Sequence, residues 1–319
     1  MNNEKKRPLL LIISGPTAVG KTDLSLQLAE QLQTCILSAD SRQVYKELTI
    51  GTAKPSSEEL SRVPHYFIDH ISIHETYSAG QYEAEAIPLI EELFQKHPIL
   101  LLVGGTTFYI KAITQGLDIF PSIPASIKQQ LQQEWNETPE ALHSELKEKD
   151  LTTYESIDLQ NSRRVLRALE VIRASGKAFS SFKKAGAVKR SFDTWHIQLH
   201  RDREELYTRI NERVLKMLDQ GLEEEARALY AFRQKPPLQT VGYQEWWPHL
   251  DGKRSQKEVV QKIQQHSRNY AKRQLTWFRR EAFWNILPAE QTAQNLADVA
   301  PAVLTIATQI VGTIGQIVH

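Results

Sequence analysis

The chain has 319 residues, of which 41% are apolar and 24% are charged, and its formal net charge is +1. These are globular values, and the length predicts two domains or one domain with a large insert. The single cysteine, Cys35, excludes an intramolecular disulfide and a cysteine zinc cluster, and we expect it to be buried in a protein of the reducing cytoplasm.

The first predicted elements are a strand over residues 9–13 and a phosphate-binding loop. Residues 1–8 are polar and basic, but the five apolar residues after them are too few for a signal peptide. The loop matches G-x-x-x-x-G-K-[ST] and precedes a predicted helix over 23–32, whose positive N-terminal end points at a bound anion. Its residues are Gly15, Pro16, Thr17, Ala18, Val19, Gly20, Lys21 and Thr22.

The phosphate loop defines a ligand class but not a reaction. Lys21 supplies a positive charge, and Thr22 offers a hydroxyl to a magnesium ion. ATPases, GTPases, small-molecule kinases and a few transferases share such a loop, so the surrounding residues must distinguish them.

A second strand over 35–39 ends at Asp40, which begins the run Asp40-Ser41-Arg42-Gln43. Because the carboxyl ends of parallel strands face the ligand crevice, we expect Asp40 beside the phosphate loop. A carboxylate there can hold magnesium through water or accept a proton from a nucleophile. The alternative is a cap for a following helix, since aspartate is favoured at that position.

Further strands are predicted at 66–68, 99–103 and 195–199, and the alternation with helices and loops predicts an α/β fold with an open parallel sheet. The strand at 99–103 runs into Gly104-Gly105-Thr106 without the acidic residue that ATP hydrolases keep there for magnesium, which argues against a hydrolytic motor. Residues 51–55 form a second turn of small residues with one lysine.

Helical periodicity replaces the strands between residues 121 and 191, with helices predicted over 124–135, 138–149 and 161–175. This predicts an inserted helical domain at 121–191 within a core formed by 1–120 and 192–319. The net charge is −9 over 1–159 and +10 over 160–319. That asymmetry favours a polyanionic partner for the second half, the alternative being a pair of solvated helical faces.

Helices are predicted over 203–218 and 221–232, followed after a Pro236-Pro237 break by a basic helix over 255–280. Arg209 and Arg213 share one helical face, and with Arg203 they can neutralise a leaving group or pair with neighbouring glutamates. The basic helix interleaves cations with aromatic residues, which suits phosphate contacts and base stacking, although such aromatics are more often core residues. The apolar stretch 300–318 is interrupted by polar residues and predicts a packed helix rather than a membrane span.

The ordered set of motifs resembles the bacterial type of the tRNA dimethylallyltransferase (tRNA isopentenyltransferase) family over nearly the whole chain. The matching segments are GPTAVGKT at 15–22, DSRQVYK at 40–46, IGTAKP at 50–55, LVGGT at 102–106, QNSRRVLRALEV at 160–171, RxxLxxRIxxRV at 203–214 and YAKRQLTWFR at 270–279. Thr107 departs from the pattern, because the family usually has glycine after GGT.

The resemblance implies transfer of a dimethylallyl group from dimethylallyl diphosphate to N6 of the adenosine 3′-adjacent to the tRNA anticodon, with release of diphosphate. It implies a P-loop NTPase-like parallel sheet with flanking helices, Mg²⁺ as cofactor, and an all-helical insert that grips the anticodon stem-loop. Asp40 is then the base, Thr22 binds magnesium and diphosphate, and Arg203 and Arg209 stabilise the leaving diphosphate. The implied tRNA contacts are Asp40, Ser41, Arg42, Gln43, Gln160, Asn161, Ser162, Arg163, Arg164, Gln239, Thr240, Val241, Gly242, Tyr243 and Gln244. We expect a cytoplasmic monomer without membrane contact.

Three other functions stay open at the level of sequence. An isopentenyltransferase that acts on free AMP, ADP or ATP has no need for a basic insert. A P-loop small-molecule kinase would use Asp40 to accept a hydroxyl proton. A non-catalytic RNA-binding protein with an unused phosphate loop is disfavoured, because Lys21, Thr22 and Asp40 are all present.

Overall fold

The computed structural model describes residues 7–183, 186, 188–279 and the backbone of 285–288. The helix predicted at 300–318 therefore lies outside the described residues, as does Arg280. Contacts divide the chain into a larger unit, Met1–Thr114 with Lys189–His319, and a smaller unit, Gln115–Val188. The sequence placed the insert at 121–191, so its first boundary comes earlier along the chain than expected.

A parallel sheet of six strands forms the centre of the larger unit in the described residues. The strands are β1 (Leu9–Ser14), β2 (Ile36–Ala39), β3 (His65–Tyr66), β4 (Ile99–Gly104), β5 (Asp193–His200) and β6 (Asn285–Pro288), in the spatial order β3-β2-β4-β1-β5-β6. The α/β class and the five predicted strands are confirmed, with ends that differ by one to a few residues. The sequence did not predict β6.

Twelve helices occur in the described residues and are numbered along the chain. They are α1 (Lys21–Gln31), α2 (Ser57–Arg62), α3 (Ala79–Leu93), α4 (Thr107–Gln115), α5 (Ala125–Glu137), α6 (Pro139–Lys149), α7 (Leu151–Ser156), α8 (Ser162–Ser175), α9 (Arg203–Asp219), α10 (Leu222–Leu229), α11 (Trp247–Leu250) and α12 (Gln256–Phe278). Every one of these helices is too short or too polar to cross a membrane.

The central strand β1 is buried along its whole length, because helices cover both faces of the sheet. Its odd-numbered residues pack against α1 and α9, whereas its even-numbered residues pack against α3 and α4. This alternation follows from the two-residue period of a strand. Cys35 is buried beside the second layer, as predicted.

Helix α12 begins with a capping box. The Ser255 hydroxyl accepts the Glu258 N–H, and the Glu258 carboxylate accepts the Ser255 N–H. A buried stripe that includes Ile263, Gln274 and Phe278 runs along the helix. Phe278, one of the aromatic residues of this helix, is buried, which agrees with the core alternative stated for such residues. The stripe carries one polar residue, Gln274, towards the phosphate loop.

The smaller unit has a hydrophobic core of its own, formed by α5, α6 and α8 around Leu131, Leu146 and Leu169. Arg173 of α8 ties the three helices together, because its guanidinium donates to Glu134 of α5 and to Glu145 of α6. The three predicted helices are confirmed, and the short α7 is an addition. The described residues of this unit contain no strand, as predicted.

Candidate active site

A cavity of about 660 Å³ opens in the larger unit at the carboxyl ends of β1, β2 and β4. It brings together the phosphate loop, which follows β1, and Asp40, which follows β2, as the sequence predicted. The other walls are the turn 40–43, the loop 51–55, Gly104, Gly105, Arg209, Arg213, the turn 240–242, Tyr270 and Gln274.

The phosphate loop adopts a backbone that favours glycine. Gly15 has φ 150° and Gly20 has φ 111°, and Ala18 is also left-handed at φ 64°. A Cβ atom on Gly15 would lie 2.9 Å from the Leu199 carbonyl oxygen, so a larger residue cannot fit against β5. The loop leads into α1, whose first turn contains Lys21 and Thr22.

Cations hold the carbonyl groups of this loop. Lys21 Nζ donates to the Gly15 and Pro16 oxygens at 3.0 and 2.8 Å. Two arginine Nε atoms complete the set, since Arg209 donates to the Ala18 oxygen and Arg201 to the Val19 oxygen, both at 2.9 Å. The loop is thus fixed from outside by positive side chains before any anion binds.

Lysine and arginine side chains outnumber the carboxylates that line this cavity. Burial, together with the charge of Arg213, lowers the pKa of Lys21 to about 8, although Asp40 opposes the shift. Burial also lowers the pKa of Arg213; Asp40 and Glu59 oppose this shift, and nearby Arg209 adds to it. Within the described residues Lys21, Arg209 and Arg213 form no ion pair with a carboxylate. A bound anion would relieve this repulsion.

Asp40 uses one of its two carboxylate oxygens to shape the turn that follows β2. Oδ1 accepts the Arg42 N–H at 2.8 Å and the Gln43 N–H at 3.3 Å. The alternative expected from the sequence was that Asp40 caps a helix. No helix begins there, and Asp40 caps a turn instead. Oδ2 forms no hydrogen bond to any described residue, which leaves one oxygen of a cavity-lining carboxylate free for a ligand.

Two further candidates, Arg201 and Gln274, were not assigned a role from the sequence, and the structure also defines the contacts of Arg213, which was. Arg201 directly follows the carboxyl end of β5 and contacts the phosphate loop, so it occupies the same kind of position as Asp40 after β2. Arg213 Nη1 donates to the Thr17 hydroxyl at 3.1 Å. Gln274 accepts the Thr17 N–H at 3.0 Å and donates to the Gly105 oxygen at 2.9 Å, so it bridges the phosphate loop and the end of β4.

The structure does not bring Arg203 to the cavity. Arg203 is exposed, does not line the cavity, and stacks its guanidinium over the Tyr207 ring at 5.2 Å. Six residues along a helix turn a side chain by about 240°, whereas the four residues from Arg209 to Arg213 turn it by about 40°. The structure therefore brings Arg209 and Arg213 to the loop and leaves Arg203 outside.

Tyr243, an expected RNA contact, lies in the protein interior. Its side chain is fully buried, and its hydroxyl donates to Glu225 at 2.6 Å. Thr240, Val241 and Gly242 line the cavity, while Gln239 is exposed and Gln244 half-buried.

In the smaller unit, the predicted RNA contacts lie at the start of α8. Gln160, Arg163 and Arg164 are exposed. Asn161 has a structural role, because its side chain caps α8 by accepting the Arg164 N–H at 3.4 Å. Ser162 is the first residue of the helix and is half-buried.

Comparison with known proteins identifies relatives along most of the chain. The tRNA dimethylallyltransferase of Cytophaga hutchinsonii is 46% identical over 274 residues, which cover 86% of this chain and 90% of that protein. The tRNA dimethylallyltransferase 1 of Bacteroides fragilis is 45% identical over 273 residues, or 85% of this chain and 91% of that protein.

Solved structures agree. The full-length tRNA isopentenylpyrophosphate transferase of Bacillus halodurans matches with a TM-score of 0.71 at 33% identity and covers 96% of this chain and 98% of that chain. A eukaryotic dimethylallyltransferase solved in the course of acting on tRNA matches with a TM-score of 0.81 at 26% identity, over 93% of this chain and 79% of that one. The family model described as IPP transferase matches residues 43–281, and because that is well over half of the sequence, the chain belongs to the IPP transferase family.

Proposed function

We propose that this transferase moves a dimethylallyl group from dimethylallyl diphosphate to N6 of the adenosine 3′-adjacent to a tRNA anticodon. The observation that carries the proposal is the shared cavity. In it, the phosphate loop and three half-buried cations that form no ion pair in the described residues face Asp40, which has one free carboxylate oxygen. The names of the related transferases support the same choice of donor and acceptor.

The reaction assigns a separate task to each part of the cavity. The N6 amine forms a bond to C1 of the dimethylallyl group while the bond from C1 to the diphosphate oxygen breaks and its electron pair leaves with diphosphate. Asp40 Oδ2 accepts the proton that N6 loses. Lys21, Arg209 and Arg213 stabilise the charge that develops on the diphosphate.

Magnesium fits this site as a partner of the diphosphate. In the described residues no group of three or more acidic, histidine or cysteine side chains forms a metal cage. Mg²⁺ bound with phosphates needs only one or two protein oxygens, and the Thr22 hydroxyl in the first turn of α1 would provide one. When bound, the ion would supply Lewis-acid neutralisation of the diphosphate oxygens.

The acceptor is proposed to be RNA because of where the positive charge lies. The half of the chain from residue 160 carries a net charge of +10, and Arg163 and Arg164 are exposed at the start of α8. The target adenosine must leave the stack of the anticodon loop, which costs a few kcal/mol, and phosphate contacts offset that cost. The monomeric state and the cytoplasmic location remain predictions.

The test is incubation of the purified protein with dimethylallyl diphosphate, magnesium and one of three acceptors. These are an anticodon stem-loop RNA, AMP, and the same stem-loop with guanosine in place of the target adenosine. Nucleoside mass spectrometry should detect dimethylallyl-adenosine only with the first acceptor, with one diphosphate released per transfer. Transfer onto AMP with the stem-loop unmodified would favour the nucleotide-acting enzymes, and phosphate release from ATP onto a small molecule would favour a kinase.

A further inference from the structure

The carboxylate of Glu225, on α10, is the acceptor for four hydrogen bonds. Oε2 accepts the Thr49 N–H at 3.3 Å and the Ile50 N–H at 2.9 Å. Oε1 accepts the Gly51 N–H at 3.0 Å and the Tyr243 hydroxyl at 2.6 Å. Three consecutive amides and one phenol therefore donate to a single carboxylate. An ionised carboxylate suits four donors, because both of its oxygens accept hydrogen bonds and neither carries a hydrogen.

Tyr243 packs against the same stretch of backbone. The ring is fully buried, and a Cβ atom on Gly51 would lie 2.5 Å from its Cζ, so only glycine allows this approach. Burial and the charge of Glu225 raise the pKa of Tyr243, which keeps its hydroxyl protonated as a donor. Glu225 and Tyr243 thus fix the backbone of loop 49–53 from the side away from the cavity.

Loop 49–53 lies between two segments that line the cavity. Gln43 Nε2, in the turn after Asp40, donates to the Thr52 and Ala53 oxygens at 3.3 and 3.0 Å. On the other side, a Cβ atom on Gly242 would approach the Gly51 oxygen to 2.9 Å, so the loop touches the turn 240–242. Ala53 is held in a left-handed conformation, φ 48°, which an alanine adopts only when its surroundings impose it.

We propose that Glu225, acting with Tyr243 through loop 49–53, is a positioning residue that sets the acceptor side of the cavity. Neither residue lines the cavity, whereas Gly51, Thr52 and Ala53 of the loop do. The inference rests on the proposed RNA acceptor, because the two segments that the loop joins, 40–43 and 240–242, belong to the expected contacts of the tRNA.

A substitution of Glu225 should therefore impair the reaction with the RNA acceptor without weakening binding of the diphosphate donor. Glu225→Gln keeps the shape of the side chain but replaces one acceptor oxygen with an NH₂ group, which faces donors. Displacement of a substrate by about 1 Å can lower a rate by about 10²-fold. We expect kcat/KM for the stem-loop RNA to fall by about that factor, while the dissociation constant of dimethylallyl diphosphate stays within about twofold. Glu225 has no contact with the phosphate loop, and Arg213, which donates to the Ala53 oxygen at 3.4 Å, keeps its shorter bond to the Thr17 hydroxyl at 3.1 Å.

Tyr243→Phe provides a second variant that keeps the buried ring and removes one hydrogen bond. It should lower kcat/KM for RNA in the same direction by about tenfold, the size expected for one hydrogen bond to a charged group. The double variant should be no worse than Glu225→Gln alone, because both act through one loop. The matched control is Glu224→Gln, at an exposed neighbour on the same helix. It should change neither kcat/KM for RNA nor the dissociation constant of dimethylallyl diphosphate.

The outcomes separate this inference from the proposed function. If the unaltered protein does not modify the stem-loop, the proposed function fails whatever the variants do. If it does and both variants keep its kcat/KM for RNA, the positioning role is wrong. Equal losses for RNA and for the donor, with a lowered melting temperature, would also overturn it in favour of a general structural role. Should Glu225→Gln fail to fold, Tyr243→Phe decides by the same comparison.

Discussion

At the scale of single residues, the site depends on cations that form no ion pair within the described residues. Lys21 is the clearest case, because its pKa of about 8 lies close to neutral pH. The lowered value favours the neutral amine, so the charged form that binds an anion is lost as the pH rises past about 8.

The affinity for dimethylallyl diphosphate should therefore weaken above about pH 8, by up to about tenfold per pH unit. The donor does not contribute to this change, since a phosphate loses its last proton near pH 6, and Tyr270, with a pKa of about 12, does not titrate in this range. Calorimetric titration between about pH 7 and 10 measures the effect. Lys21→Arg, whose charge is constant, should give a flat profile, and a flat profile for the unaltered protein would contradict the assignment.

Asp40→Asn should lower turnover by ~10² or more and leave RNA affinity within a few fold. Asparagine retains an oxygen for the Arg42 and Gln43 amides but cannot accept the N6 proton. Single-turnover rates at saturating RNA measure the step directly. A normal rate in this variant would reduce Asp40 to the cap of a turn.

The residues of the site were predictable to different degrees. The phosphate loop and Asp40 follow from strand ends and motif spacing. The place of Arg203 away from the cavity could have been expected, since six residues along α9 turn its side chain by about 240° from Arg209. The burial of Tyr243 could not, because its motif does not reveal that Gly51 makes room for a buried ring.

At the scale of elements, α12 joins the phosphate loop to the end of β4 through Gln274. This side chain is 5% exposed and bonds to partners 257 and 169 residues away along the chain. Apolar runs and capping residues predict strands and helices because those signals are local. A contact between residues so far apart in the chain leaves no local pattern in the sequence, so the role of Gln274 could not be predicted. The local pattern of α12 indicates only its basic face.

Gln274→Leu should leave the Thr17 amide and the Gly105 carbonyl buried without partners. Each such group costs about 1 to 3 kcal/mol, so the free energy of unfolding should fall by about 2 kcal/mol or more. The dissociation constant of the donor should rise about tenfold, because Thr17 belongs to the phosphate loop. Urea unfolding and calorimetry measure both, with exposed Gln261→Leu on the same helix as control. Loss of stability with unchanged donor affinity would show that the bridge is not needed for donor binding.

At the scale of the whole molecule, charge divides the chain more sharply than its near-zero total indicates. A molecule with +10 on its second half should bind a polyanion with strong salt dependence, since each neutralised phosphate releases counterions. This property was predictable from the sequence. The division into two units was predictable in outline, because helical periodicity replaced strands, but its first boundary was not.

Replacing Arg163 and Arg164 together by glutamine should reduce the slope of log K against log salt by roughly two units for stem-loop RNA. Binding of dimethylallyl diphosphate should not change. Lys96→Gln serves as control, because this exposed lysine precedes the amino end of β4, at the edge of the sheet away from the cavity. An unchanged slope in the double variant would remove these arginines from the RNA interface.

The smaller unit begins and ends at a single backbone hydrogen bond, in which the Val188 N–H donates to the Gln115 oxygen at 2.8 Å. Its entry and exit are therefore adjacent, and its core is complete without the sheet. A segment attached in this way can lengthen, shorten or be exchanged during evolution without altering the register of any strand. Recognition of the polymer and chemistry on the diphosphate can consequently diversify at different rates within one chain.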